Sequence, residues 1–83
     1  MTAKSNDAQA ARLDDEIARN IRLALKLDHD VPDEMIGVSV SNGVASLDGN
    51  VETYLQKEAA EAGARKVKGV RDVINRIDLQ PAI

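Results

Sequence analysis

Asn42-Gly43-Val44-Ala45-Ser46-Leu47-Asp48-Gly49-Asn50-Val51, then an alanine-rich segment, then Gly69-Val70-Arg71-Asp72-Val73-Ile74-Asn75-Arg76-Ile77, is the order that decides the fold. Asn42-Gly43 supplies two adjacent residues that tolerate positive φ, as a type I′ hairpin turn requires if its twist is to match the flanking strands. Upstream of the turn, Ile36, Val38 and Val40 alternate with Gly37, Ser39 and Ser41, the period of a strand with one buried face. Downstream, a second strand runs from Val44 to about Asn50, with Ala45 and Leu47 inward so that Ser46 and Asp48 face water.

Beyond the hairpin, Thr53 and Gln56 form a capping box, which predicts a helix start because each side chain satisfies a free backbone amide of the other. Leu55, Ala59, Ala62, Gly63 and Val67 share one face of that helix, and such small side chains let its axis lie close to a neighbour. Arg65, Lys66 and Lys68 gather at its C-terminus, where the helix dipole favours cations, and Gly69 suits a left-handed closing position. A last strand follows, with Val73, Asn75, Ile77 and Leu79 toward the core and Ile74, Arg76 and Asp78 away from it.

On the N-terminal side, Ala10, Leu13, Ile17, Ile21 and Ala24 recur at spacings of three and four, which predicts an amphipathic helix. Asn6 or Asp7 would cap its start, leaving residues 1–6 as a disordered tail, and it should stop near Leu27, ahead of Pro32. The predicted order is thus α-β-β-α-β within a single domain over residues 7–80. The fold class is α/β, in the α+β sense: a sandwich of two helices on one face of a three-stranded mixed sheet in the order 1-2-3. Its last strand lies parallel to the second through a right-handed crossover, and Ser39, Ser41 and Ser46 lie on the open face.

Composition narrows the function. A chain of 83 residues buries only about 60% of its unfolded surface, which leaves little room for an enclosed active site. Tyr54 is the single aromatic residue and the net charge is −3, so neither base-stacking platforms nor an overall basic surface points to nucleic acid. With no cysteine there is no disulfide framework, thiolate nucleophile, zinc finger or lipid-anchored cysteine. The first residues lack the apolar run of an export signal and no stretch is long enough to span a bilayer, so the chain as it stands is expected to be cytoplasmic. Gly43, Gly49, Gly63 and Gly69 make no phosphate-binding loop, and Lys68-Gly69-Val70-Arg71 is not the GxxG of a KH domain. His29, between Asp28 and Asp30, has no second imidazole and is a poor metal ligand set. With no nucleophile and base in order and no isolated pair of acids, no enzyme, metal or cofactor is expected.

The pattern Ile36-x-Val38-x-Val40-x-Asn42-Gly43-x-Ala45-x-Leu47-x-Gly49-x-Val51, the helix with Ala59 and Ala62, and the closing Gly69-Val70-x-x-Val73-x-Asn75-x-Ile77 together resemble the BON domain of bacterial osmotic-stress and nodulation proteins. With the leading helix, the resemblance covers roughly residues 12 to 79. It implies a non-catalytic, transport-associated module of the periplasm or cell envelope that associates with phospholipid or envelope proteins, in osmotic or envelope stress. The chain differs from the usual setting in carrying one copy, no export signal and no lipobox.

Two basic groups are the candidates for such a role. Arg12, Arg19, Arg22 and Lys26 lie within about 80° on a helical wheel, opposite the apolar face. Arg65, Lys66, Lys68 and Arg71 surround the end of the second helix. The plain reading is a solvated face for the first group and a dipole complement for the second; the functional reading is attraction to anionic headgroups. Tyr54 is expected to be exposed beside Lys57, Glu58 and Glu61, at a position that suits headgroup depth. Gly43, Gly49, Gly69 and Asn75 are read as structural, with the Asn75 amide bonded to a loop around Gly49, so that Asn75→Leu should alter stability. A second function class, a protein-interaction or oligomerisation module, would use the open sheet face and an edge strand. The sequence does not indicate an oligomeric state.

Overall fold

The structure is a computed structural model that describes residues 2–81, with side-chain surroundings from Ala10 onward. Helix α1 spans Thr2–Leu27, strand β1 Ile36–Ser41, β2 Val44–Val51, helix α2 Tyr54–Arg65, β3 Asp72–Asn75 and β4 Asp78–Leu79. A single 3-10 turn, Asp33–Met35, feeds β1 and was not expected. The strand order is β1-β2-β3, with β1 antiparallel and β3 parallel to β2, and β4 also pairs parallel with β2. Asn42 and Gly43 have φ of 52° and 81° and join the paired residues Ser41 and Val44, the two-residue turn expected.

Three expectations about element ends are corrected. Helix α1 starts at Thr2, so Asn6 and Asp7 lie inside it and residues 2–6 continue the helix instead of forming a tail. Residues 2–6 contain no Gly or Pro that would interrupt it. The last strand is split into β3 and β4. At the break, Asn75 Oδ1 accepts the Ile77 amide at 3.1 Å. The register survives the gap, since Leu47 pairs with Asn75 and Asn50 with Asp78. Gly69 has φ of 98° but lies in the turn after α2, which ends at Arg65; it is not the helix's own closing residue.

The core joins Ile17, Ile21 and Leu25 of α1, Ala60 and Ala64 of α2, and Ala45, Leu47, Val51, Val73 and Ile77 of the sheet, with Val31 from the loop. Ile36, Val38 and Val40 pack against it from β1 as read from the alternation. The helical stripes are rotated from those expected. On α1, Leu25 is buried whereas Leu13 is 58% exposed, because α1 runs on past the hairpin turn and at Leu13 no sheet lies beneath it. On α2, Ala60 and Ala64 are buried while Leu55 is 79% exposed and Ala62 also faces solvent. Leu79, assigned to the core by parity, is exposed on the short edge strand β4.

A Cβ on Gly63 would stand 3.3 Å from Leu25 Cδ2, and one on Gly69 would stand 2.9 Å from Ile17 Cδ1. The helices therefore run antiparallel, and the small residues of α2 let α1 approach. The capping box is present: Thr53 Oγ1 accepts from the Gln56 amide at 3.1 Å, and Gln56 Oε1 accepts from the Thr53 amide at 3.1 Å.

Candidate functional site

Arg12, Arg19, Arg22 and Lys26 of α1 are all exposed, but they differ in what they touch. Arg22 reaches across to β1, where its Nη2 donates to the Val38 carbonyl at 3.2 Å. Arg12, Arg19 and Lys26 form no ion pair among the described residues. Beside Arg19 and Lys26 stand Leu23, 54% exposed, and Leu27, 71% exposed, one helical turn apart. These two leucines fall outside the buried stripe, and the sequence reading did not single them out. Their signal was present, since a helix with leucine on two faces has more apolar surface than one sheet can cover.

The second basic group is divided. Arg65 Nε bonds Glu61 Oε2 at 3.0 Å and Arg65 Nη1 bonds Asp72 Oδ1 at 3.5 Å, so its charge is answered within the molecule. Lys66, Lys68 and Arg71 are exposed and form no ion pair among the described residues. Because α2 runs antiparallel to α1, this group lies beside the middle of α1, at the hairpin end of the sheet. Arg19, Lys26, Leu23 and Leu27 point outward from the other half of α1. The eight candidate residues Arg19, Arg22, Lys26, Tyr54, Arg65, Lys66, Lys68 and Arg71 therefore do not make one surface. Tyr54 is exposed at the first residue of α2.

The residues read as structural act on the backbone. Gly49 has φ of 119°, and a Cβ there would collide with the Met35 carbonyl oxygen. Asn75 is satisfied, though not by the Gly49 loop as expected. Its Nδ2 donates to Lys57 O and to Glu61 Oε1, each at 3.2 Å, and ties the sheet to α2. One positioning contact escaped the sequence: Asp14 accepts from the amides of Asn42 at 2.8 Å and Gly43 at 3.0 Å, locking α1 onto the hairpin turn. No local signal marks a carboxylate for a turn so distant in sequence.

Several of these side-chain bonds fall on the rims of the sheet. On β1, Arg22 takes the Val38 carbonyl. On β3, the Val73 amide is taken by Asp72 Oδ1 at 2.8 Å, and just beyond that strand the Ile77 amide is taken by Asn75 Oδ1. Main-chain groups that would otherwise template another strand are in part already bonded. His29 is exposed, and among the described residues no group of three or more His, Cys, Asp or Glu is placed to hold a metal ion. No helix of the described residues is long and apolar enough to cross a membrane.

Among curated proteins none matches the chain significantly. A family model described as the BON domain matches residues 13–81, which takes in the outer face of α1, the hairpin, α2 and the closing strands. With most of its length matched in this way, the chain belongs to the BON domain family.

Proposed function

We propose that this BON domain is a non-catalytic module that docks weakly on anionic phospholipid surfaces through the outer face of α1. The observation that carries the reading is the pairing of two exposed leucines, Leu23 and Leu27, with Arg19 and Lys26, which form no ion pair among the described residues. Each basic side chain near an anionic surface contributes about 1 kcal/mol, attenuated by salt over a Debye length. A leucine transferred fully from water contributes about 1.5–3 kcal/mol, and less at headgroup depth. The sum describes a reversible contact, with Tyr54 suited to the same interface. The setting that fits is the bacterial cell envelope, on its periplasmic side, in osmotic or envelope stress, as in the resemblance drawn from the sequence.

The alternative, a protein-interaction module built on the open sheet face and edge strands, has weaker support. Strand addition would first have to displace Arg22 from Val38 on β1, or Asp72 and Asn75 from the amides of Val73 on β3 and Ile77 just beyond it. Co-sedimentation with phosphatidylglycerol vesicles tests the lipid reading. Binding that falls with added salt and is lost in Leu23→Ser/Leu27→Ser supports it; binding equal on phosphatidylcholine, or none on either lipid, refutes it.

A further inference from the structure

A groove of about 520 Å³ opens at the hairpin end, on the side of α1 away from Leu27. Its floor is apolar, formed by Ala10, Ile17 and the backbone of Gly43 and Gly69, with Leu13, 58% exposed, at its edge. Its two walls carry opposite charge: Glu16 stands on α1, and Lys68 and Arg71 stand on the segment that links α2 to β3. No ion pair among the described residues crosses between these walls. Above the groove α1 continues toward Thr2, and among the residues whose surroundings are described its first buried apolar side chain is Ile17.

We propose that the occupant is α1 of a second copy of this chain, in a two-fold dimer. In such a dimer a surface meets itself, so it must carry both signs of charge and its own apolar knob. This groove does. With the two helices antiparallel across it, Leu13 of each copy enters the apolar floor of the other. Glu16 of each then faces Lys68 of the other, and the charges that stand apart within one chain are answered between two. The contact is small, one helix segment and one groove per chain, which places it among weak and transient interfaces. It is separate from the lipid-docking face, which lies on the other half of α1.

The test is the mass of the full chain by sedimentation equilibrium from micromolar to millimolar concentration, set against 8.9 kDa for one chain. The wild type should approach twice the single-chain mass. Leu13→Glu should remain monomeric with unchanged helical circular dichroism, because Leu13 is exposed in the single chain. Lys68→Glu should weaken the dimer at least several-fold, and Glu16→Lys combined with Lys68→Glu should restore it. A wild type that stays monomeric at millimolar concentration overturns the proposal. So does a dimer that Leu13→Glu leaves intact or that the charge exchange fails to rescue.

Discussion

The rims of the sheet and the outer face of α1 are both polar surfaces of one small domain, yet they use their polar groups differently. On the rims, Arg22, Asp72 and Asn75 turn back on the main chain and occupy the donors and acceptors of the edge strands. On the outer face, Arg19 and Lys26 form no ion pair among the described residues and flank two exposed leucines. The contrast shows where to look for function in a domain of this kind. A side chain that satisfies its own backbone stabilises the fold, whereas an exposed charge beside exposed apolar surface is available to something outside it.

The largest effect is expected at Gly49, where the sheet meets the 3-10 turn. Gly49→Ala sets a Cβ against the Met35 carbonyl at a backbone conformation that L-residues avoid, and should cost about 3 kcal/mol or more in urea denaturation. A near-neutral result would mean that the β1 entry is not held as described. Asn75→Leu should come next. It strips a hydrogen bond from the Ile77 amide and two from α2, a loss of about 1–3 kcal/mol. If the sealing account holds, this variant should also self-associate more readily through the opened β3 rim; unchanged stability would break the comparison from the side of the rim.

Arg22→Ala sharpens it further, because Arg22 belongs by sequence to the basic face and by geometry to the rim. Its exposed bond to Val38 predicts a stability change of about 0.5 kcal/mol or less, and vesicle binding should fall less than in Arg19→Ala. Equal losses would show that Arg22 leaves the rim to serve the lipid. The smallest change in stability is expected for Leu23→Ser/Leu27→Ser, within about 0.5 kcal/mol in the same denaturation assay, even though this variant should lose vesicle binding altogether.

The hairpin was the most legible part of the sequence, because a two-residue turn, an alternating pattern and a capping box are all local signals. Val73 and Ile77 followed from parity, and the parallel pairing of β3 with β2 followed from the intervening helix. What escaped depended on distant residues. The rotation of the α2 stripe from Leu55 and Ala59 toward Ala60 and Ala64 reflects where α1 lies, with Leu25 against Gly63. The exposure of Leu13 reflects where the sheet ends. The bonds from Asp14 to the turn and from Asn75 to α2 join segments that no local pattern connects. For the candidate site, the basic residues were legible by type, but their division was not, because Arg22 and Arg65 have partners only in the folded chain.

The central claim is that the outer face of α1, and not the sheet, meets an anionic lipid surface. An amide-shift NMR titration of the domain with anionic and then zwitterionic phospholipid micelles, at low and high salt, addresses it residue by residue. The account predicts shifts confined to anionic lipid, abolished by salt and centred on Arg19, Leu23, Lys26 and Leu27. Shifts centred on β1 or β3, shifts indifferent to headgroup charge, or no shifts with either lipid would contradict it.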